Sequence, residues 1–364
     1  MASPLPASQS CVPVGVERLI VFAAREVQLL AALTPVGAHR ERARLVGELR
    51  AGRRAVPNWS YAPARHDELR RALDSAERTL ARREEAYAAL HFARVRELKL
   101  EAALCAAPGT ADFGRLARER FAPRSPEDAR RASDLCAAWL EVQATADAGV
   151  PVASDDPGPR SLLSLMRHTV GKLRLPFAVV AEPSLAPLAA TGDRVILVAT
   201  GRLVCEEDSV RTVLHEVEGH AVPRARAYVS PLPILRAGTA GGIDDQEGRA
   251  LLLEERAGAL GARRKRQLAA RHRAVEAMLD GGSFADVAAM LVREQGFDPA
   301  DAVLMAERAF RGSDGRGPGL GRERVYLESF VRVGAHLAAH PEDEEVMASG
   351  QVAADACQTL RELI

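Results

Sequence analysis

The segment His215-Glu216-Val217-Glu218-Gly219-His220 places two imidazoles and a carboxylate close together on a predicted helix. Zinc hydrolases commonly hold the metal with two neutral histidines, and the glutamate after the first histidine handles the proton. In the usual H-E-x-x-H spacing, four residues turn an ideal helix by about 400°, so the two side chains lie about 40° apart. Here the second histidine follows five residues after the first, and the separation grows to about 140°. Both histidines can bind one metal only if the helix widens locally, as in a π-bulge, which Gly219 would tolerate.

A second predicted helix supplies a candidate for a third ligand. It begins at Asp244-Asp245-Gln246-Glu247-Gly248-Arg249-Ala250-Leu251, after a Gly- and Pro-punctuated stretch from Pro231 to Gly242. Asp244 has the position of an N-cap and Glu247 follows at capping-box spacing, so Glu247 could serve only the helix terminus. In the functional interpretation, Glu247 is instead the third zinc ligand. Three protein ligands leave the fourth position to water, as catalysis requires.

The combination of H-E-x-x-x-H with a following Q-E-G-x-A resembles the QEGLA-motif proteins of bacteria, sometimes named flavohaemoglobin expression-modulating proteins. Their animal relatives are the microtubule-associated tyrosine carboxypeptidases. The segment from Ala306 to Gly312 is similar to the family's segment ending in Phe-Arg-Gly, and Arg324 to Leu327 is similar to its Tyr-Leu segment. The resemblance covers most of residues 40 to 364.

The resemblance implies a zinc carboxypeptidase that removes a C-terminal residue, with tyrosine or another aromatic residue as the family's preference. Carried over position by position, His215, His220 and Glu247 are the ligands of one zinc ion. Glu216 is then the catalytic residue that accepts a proton from the metal-activated water. The substrate is the C-terminus of a peptide or protein.

Two positions depart from the family pattern. The family usually has Gly where this chain has Glu218, and Leu where it has Arg249. Neither change removes a ligand, so hydrolysis remains the expectation, but the substrate preference does not carry over with the motif.

Three further residues in the matched segments are candidates for substrate contacts. Tyr326 carries a hydroxyl that could donate to the oxyanion, or it could be a buried tyrosine with a structural hydrogen bond. A carboxypeptidase must recognise a free carboxylate, and the planar fork of arginine binds two oxygens at once. Arg311 is the first candidate for this role and Arg324 the second, and the alternative for either is a surface salt bridge.

The composition excludes several classes of function. Lys+Arg and Asp+Glu both number 49, so the formal net charge is zero, which argues against binding to nucleic acid or anionic membranes through charge. Aromatic residues make up 4% of the 364 residues, which leaves few side chains to stack on bases. No stretch of about 18 apolar residues occurs, so we expect no membrane span.

The cysteines and the N-terminus predict a cytoplasmic location. Five cysteines, at positions 11, 105, 136, 205 and 357, are scattered and never form C-x-x-C, so neither a disulfide framework nor a zinc finger is expected. The stretch from Met1 to Val14 has no basic start and no apolar core of signal-peptide length.

The periodicity predicts an α+β fold that is predominantly helical. We expect a disordered tail at residues 1–14, a helical N-terminal region at 15–146 and a metallopeptidase catalytic domain at 147–364, with a linker or long loop from Asp147 to Pro159. The catalytic domain should resemble a zinc peptidase, with a small β-sheet beside the metal-bearing helix.

Individual elements are predicted from local patterns. Asp67 to Leu90 has apolar residues at helical spacing on a charged background, and this stripe packs on its own domain or on a partner. Ser161 to Lys172 is a predicted short helix, and Asp298-Pro299 is a typical helix start. Pro176 to Ala181 and Arg194 to Ala199 are predicted strands.

Three functions are compatible with the sequence. The first is a zinc carboxypeptidase that uses Glu216 as general base. The second keeps the metal but cuts as an endopeptidase or aminopeptidase. The third is a non-catalytic regulatory or scaffold protein with a vestigial metal site. The sequence leaves the substrate and the oligomeric state open.

Overall fold

The computed structural model describes residues 11–143, 149–183 and 185–364. Helices account for 61% of it, beside a few small sheets, so the predicted α+β, predominantly helical class is confirmed. Most of the predicted tail at residues 1–14 lies outside the described residues. Within the described ranges, no helix is both long and apolar enough to cross a bilayer.

The regular elements are numbered in chain order. The strands are β1 (Val152–Ala153), β2 (Ala178–Glu182), β3 (Ala189–Thr191), β4 (Val195–Ala199) and β5 (Leu203–Val204). The α-helices are α1 (Val14–Glu26), α2 (Leu29–Ala32), α3 (Ala38–Arg50), α4 (Asp67–Leu80), α5 (Ala86–Ala106), α6 (Phe113–Arg120), α7 (Pro126–Leu140), α8 (Leu162–Lys172), α9 (Glu206–Val213), α10 (Val222–Val229), α11 (Pro233–Ala237), α12 (Gly242–Arg256), α13 (Ala262–Leu279), α14 (Phe284–Arg293), α15 (Pro299–Phe310), α16 (Val325–Ala339), α17 (Asp343–Met347) and α18 (Cys357–Arg361). A π-helix spans Leu214–Ala221, and 3₁₀-helices span Arg322–Arg324 and Ala354–Ala356.

The chain divides into two compact units, each built from separate stretches of sequence. Among the described residues, the first unit comprises Gln143–Arg264 and Ser329–Ile364, and the second comprises the N-terminal stretch up to Val142 together with Lys265–Glu328. Residues 265–328 therefore group with the N-terminal helices, and not with the rest of the predicted catalytic region 147–364.

A shared core explains this grouping within the second unit. Leu45 and Ala55 from the N-terminal stretch are buried in the same apolar cluster as Phe284 and Phe310 from the later stretch. Trp59 meets Phe284 edge to face, with ring centroids 5.2 Å apart, a geometry that aromatic pairs favour. Because neither stretch fills this core alone, a boundary read from the linear sequence cannot describe the unit.

The predicted helix from Asp67 to Leu90 is two helices, α4 and α5. The stretch between them, residues 81–85, is Ala-Arg-Arg-Glu-Glu and offers no large apolar side chain to a core. Lys99 of α5 pairs with Asp74 and Glu77 of α4. Leu73, Ala76 and Leu80 of the apolar stripe are buried, so the stripe packs within its own unit, which was one of the two expectations.

A three-stranded sheet in the first unit has the strand order β2-β4-β3. β2 runs parallel to β4, with Ala178 opposite Val195, and β3 runs antiparallel to β4. The predicted strands at 176–181 and 194–199 are confirmed as β2 and β4, with slightly different ends. β3, at the edge of the sheet, was not predicted because an alternating pattern cannot be recognised in so short a strand.

A second pair of strands, β1 and β5, is also antiparallel, with Val152 opposite Val204. The predicted linker from Asp147 to Pro159 therefore contains a strand, and its residues 147 and 148 lie outside the described residues. β5 leads directly into α9 and so fixes the start of the helical segment that carries the histidines.

The core of the first unit anchors the π-helix on the sheet. Leu162 and Met166 of α8, Ile196 and Val198 of β4, and Val217 of the π-helix are buried in one cluster. Alternation along β4 places Ile196 and Val198 on the same face, and burial of each such side chain stabilises the fold by about 1.5–3 kcal/mol. The π-helix is thereby held by its apolar side.

Glu276 links α13 to α7 in the second unit, and its ionisation should make stability depend on pH. Its carboxylate lies 3.4 Å from His272 Nε2 and accepts a hydrogen bond from Ser133 at 2.7 Å. The hydrogen bond with His272 is the main cause that lowers the pKa of Glu276 to about 2, from an ordinary 4.5, against the opposing effect of burial. The folded state therefore gains stability from the ionised carboxylate above about pH 4.5 and loses it as the pH falls through about 2.

Replacement of Glu276 by Gln should lower the free energy of unfolding by about 1–2 kcal/mol at pH 7, after allowance for partial exposure. The difference from the unmodified protein should shrink as the pH falls below 4.5. Thermal unfolding at pH 7 and pH 3 measures both quantities, and a difference that stays constant over this range would exclude the ionised carboxylate as its cause.

Candidate metal centre and active site

The segment that carries both histidines is a π-helix, Leu214–Ala221, between α9 and α10. The five-residue spacing predicted this local widening, and the prediction is confirmed. The rings of His215 and His220 lie with centroids 4.9 Å apart and planes at 75°. The wider turn thus brings together two imidazoles that a regular α-helix would point in different directions.

Glu247 on α12 lies next to both rings. Its Oε2 atom is 3.3 Å from His215 Nε2 and 3.7 Å from His220 Nε2. One potential ligand atom from each of the three residues lies within 4.8 Å of the other two, and all three residues are buried. Two imidazole nitrogens and one carboxylate oxygen are a donor set that suits zinc and leaves a position for water. Their role as ligands remains a prediction.

The capping-box interpretation of Glu247 is wrong. The helix begins earlier than expected, at Gly242, and its N-cap is Gly241 in the left-handed conformation with φ 67°. Asp244 and Glu247 therefore both lie inside α12. A glycine supplies the turn into the helix, and the Glu247 carboxylate is directed to the histidines.

The outer nitrogen of His215 is held by a carboxylate that the sequence analysis missed. His215 Nδ1 lies 2.7 Å from Glu254 Oε1, and Glu254 is fully buried on α12, two turns after Glu247. Burial raises the pKa of Glu254, but the charge of Arg264 and the hydrogen bond with His215 lower it to about 2. The ionised Glu254 accepts a hydrogen bond from Nδ1–H, which leaves Nε2 as the ring nitrogen that faces Glu247.

His220 is oriented in a similar way by a neutral group. Its Nδ1 atom lies 2.9 Å from Gln246 Oε1, which also accepts a hydrogen bond from Gln351 Nε2 at 3.4 Å. The Gln of the Q-E-G motif thus orients one histidine, while the Glu beside it lies between the two rings. Such outer partners commonly raise metal affinity by about 10–100-fold.

Glu216 is connected to the edge of the sheet. Its Oε2 atom accepts a hydrogen bond from Thr191 Oγ1 at 2.8 Å, and the same hydroxyl lies 3.1 Å from the Glu216 carbonyl oxygen. Thr191 is the last residue of β3. The strand therefore fixes the carboxylate that would handle the proton.

Two glycines permit the close packing of α12 in the first unit. A Cβ atom on Gly219 would lie 2.6 Å from the Cβ of Ala250, so the π-helix and α12 touch at this point. A Cβ atom on Gly248 would lie 2.4 Å from the carbonyl oxygen of Ser329. The role expected for Gly219 was tolerance of the distorted helix, and its contact with Ala250 adds a packing reason.

The two departures from the family pattern have different environments. Arg249 Nε donates to Glu344 Oε1 at 3.0 Å, and Arg249 Nη1 donates to the carbonyl oxygen of Glu218 at 3.4 Å. Arg256 contacts the other oxygen of Glu344 at 2.9 Å. The charge of Arg249 is therefore compensated within the first unit, and the Glu218 side chain is partly exposed.

Tyr326, Arg311 and Arg324 belong to the second unit. Tyr326 is buried. Arg324 Nε donates to Glu328 Oε1 at 2.6 Å, which matches the salt bridge weighed as its alternative role. Burial lowers the pKa of Arg311 and the charge of Arg308 lowers it further. The roles assigned to these three residues remain predictions.

Glu254 and Thr191 were not predicted from the sequence, and only Glu254 has a sequence pattern that could have identified it. Glu254 follows Glu247 by seven residues, so it lies on the same face of a helix two turns later. This spacing could have identified it once Glu247 was placed. Thr191 had no comparable signal because it belongs to the short strand β3.

An alanine at Gly219 should disturb the candidate metal centre. Replacement of Gly219 by Ala would press its Cβ against Ala250 and should cost about 1–3 kcal/mol in the free energy of unfolding. Separation of the π-helix from α12 should also lower zinc affinity by on the order of tenfold. Competition with a chromophoric chelator measures the affinity, and an unchanged affinity would contradict the packing role.

Gly334→Ala is the matched control. A Cβ at Gly334 on α16 would lie 3.5 Å from Leu252 Cδ2, an ordinary van der Waals distance. Alanine is favoured over glycine in a helix by up to about 1 kcal/mol. This variant should therefore keep the zinc affinity of the unmodified protein and should not lower its stability.

Comparison with known proteins covers most of the chain. A family model described as microtubule-associated tyrosine carboxypeptidase matches residues 49–364, which include both histidines, Glu216 and Glu247. Among curated proteins, none matches the chain. The extent of the family match agrees with the resemblance seen in the sequence motifs. The chain belongs to the microtubule-associated tyrosine carboxypeptidase family.

Proposed function

We propose that this protein is a zinc-dependent carboxypeptidase that removes the C-terminal residue of a peptide or protein. The observation that carries the proposal is the convergence of His215 Nε2, His220 Nε2 and Glu247 Oε2 next to Glu216, in a member of a carboxypeptidase family. Tyrosine is the first C-terminal residue to test, because the family description names it.

His215, His220 and Glu247 would hold one zinc ion, and Glu254 and Gln246 would fix the orientation of the two rings. When bound, zinc supplies a water molecule whose pKa is lowered to about 7 and polarises the scissile carbonyl. Three ligands from the protein suit a catalytic site, since a structural site usually has four.

Glu216 would move the proton. Thr191 holds Oε2 by a hydrogen bond, so Oε1 is the oxygen that accepts the proton of the attacking water and later delivers it to the leaving amine. A purely structural metal site has no use for a carboxylate in this position. Glu216 therefore favours catalysis over the non-catalytic alternative.

The edge strand β3 supports a peptide as the substrate. In the described sheet, β3 pairs with β4 on one side only. An extended peptide can add to such an edge through backbone hydrogen bonds. Because Thr191 connects β3 to Glu216, a peptide aligned on this edge would run past the catalytic carboxylate.

The roles proposed for residues of the second unit rest on the resemblance of their motifs. The resemblance makes Tyr326 a candidate donor to the oxyanion, and it makes Arg311, with Arg324 in second place, a candidate for contact with the substrate carboxylate. The proposal also places the protein in the cytoplasm, which five free and buried cysteines support.

Glu216→Gln should abolish hydrolysis while one equivalent of zinc stays bound. Loss of a general base costs about 10²–10⁴-fold in rate, so turnover of a peptide ending in tyrosine should fall by at least about 10²-fold. Mass spectrometry of a C-terminally varied peptide set measures turnover, and metal analysis measures zinc.

Glu218→Gln is the matched control, since it removes a carboxylate from the same π-helix and should keep substantial activity. Full turnover by Glu216→Gln would remove Glu216 from its role. Equal cleavage of free and amidated peptides by the unmodified protein would favour an endopeptidase or aminopeptidase. A zinc-loaded protein that cleaves none of the peptides would favour the non-catalytic alternative.

A further inference from the structure

Arg224 is a cation near the candidate active site to which the mechanism above gives no role. It lies on α10, four residues and about one helical turn after His220. Both residues belong to the first unit, as do Glu216 and Glu247. Nothing in the sequence motifs marked Arg224, because it lies outside the H-E-x-x-x-H and Q-E-G segments.

The carboxylates of the candidate site act on the charge of Arg224. Burial lowers the pKa of Arg224, whereas Tyr228, Asp193, Glu216 and Glu247 raise it. The guanidinium remains charged at any physiological pH. Arg224 is therefore a permanent positive charge that acts in the same region as the catalytic carboxylate and the third predicted ligand.

The guanidinium of Arg224 has a hydrogen-bond donor that no described residue accepts. Arg224 Nε is buried and meets no hydrogen-bond acceptor among these residues, and Arg224 forms no ion pair with them. Burial of a charged donor without a partner carries a cost in free energy. An anionic ligand that accepts from the guanidinium would offset this cost.

Several other arginines of the first unit are paired with a carboxylate inside it. They are Arg211 with Asp208, Arg226 with Glu345, Arg249 and Arg256 with Glu344, Arg263 with Asp208, Arg264 with Glu254, Arg332 with Asp245 and Arg361 with Glu342. Their charges are compensated by the protein itself. Arg224 differs from these residues in having its charge available to a ligand.

We propose that Arg224 binds the free C-terminal carboxylate of the substrate, with two N–H groups that donate to its two oxygens. This inference rests on the proposed carboxypeptidase function and identifies a residue that would make the enzyme act on chain ends. The carboxylate lies one residue beyond the scissile bond, and one residue spans about 3.3–3.6 Å. Its receptor must therefore lie close to Glu216, and Arg224 lies on the helix that directly follows the π-helix carrying Glu216.

The experiment compares substrates with free and amidated C-termini. The variants are Arg224→Gln, Arg224→Lys and the control Arg226→Gln, which removes a positive charge from the exposed side of the same helix. In zinc-loaded enzyme, Arg224→Gln should raise the KM of the free peptide by about 10–100-fold, as expected for a charged hydrogen-bonded pair, with a smaller effect on kcat. Arg224→Lys should recover part of the loss, and Arg226→Gln should behave as the unmodified enzyme.

A binding measurement separates recognition from turnover. Calorimetry with zinc-loaded Glu216→Gln should show that the free peptide binds about 10–100-fold more tightly than the amidated one. The preference should disappear when Arg224→Gln is added, while the zinc content stays at one equivalent. A preference that persists would overturn the role of Arg224. If it is lost instead in Arg311→Gln, the carboxylate site belongs to Arg311.

The outcomes distinguish this inference from the proposed function. An unmodified enzyme that cleaves free ends, together with an active Arg224→Gln that keeps the preference for them, refutes Arg224 and leaves the carboxypeptidase intact. An unmodified enzyme that cleaves no peptide refutes the proposed function, and the inference falls with it. If Arg224→Gln does not fold, Arg224→Lys decides, because it keeps the charge and loses the planar fork.

Discussion

The contact between the π-helix and α12 is the constraint on which the candidate site depends. Gly219 lies so close to Ala250 that no side chain fits between the two helices. This closeness brings Glu247 within 3.3–3.7 Å of both Nε2 atoms. A ligand set drawn from two helices requires such packing, because each helix alone offers at most two of the three groups.

The outer groups of the site come from the same helix as the third predicted ligand. Gln246, Glu247 and Glu254 are all on α12, where the first orients His220, the second faces both rings and the third orients His215. One packed helix therefore sets the direction of both imidazoles. Thr191 connects Glu216 to the edge of the sheet, so the proposed proton acceptor is fixed by a strand and not by a loop.

Local chemistry made part of this arrangement predictable. The spacing of His215 and His220 required a wider helix, and Asp298-Pro299 was sufficient to place the start of α15, since Asp298 accepts a hydrogen bond from the Ala300 N–H at 2.8 Å.

Features that depend on distant contacts were missed or misread. Glu247 was given a possible capping role because Gly241, which starts the helix, was not recognised. The division into units depends on a core shared by separated stretches, and the environment of Arg224 depends on residues from several elements. Neither leaves a pattern in a short window of sequence.

The coordination of the metal tests most directly whether His215, His220 and Glu247 are its ligands. X-ray absorption at the zinc edge of the zinc-loaded protein should show four nitrogen or oxygen neighbours at about 2.0–2.2 Å, with the multiple-scattering pattern of two imidazoles. Removal of the Glu247 carboxylate as Glu247→Ala should change this shell and leave both imidazoles in place. A sulfur neighbour at about 2.3 Å, or a shell with fewer than two imidazoles, would contradict the claim that His215, His220 and Glu247 hold the ion.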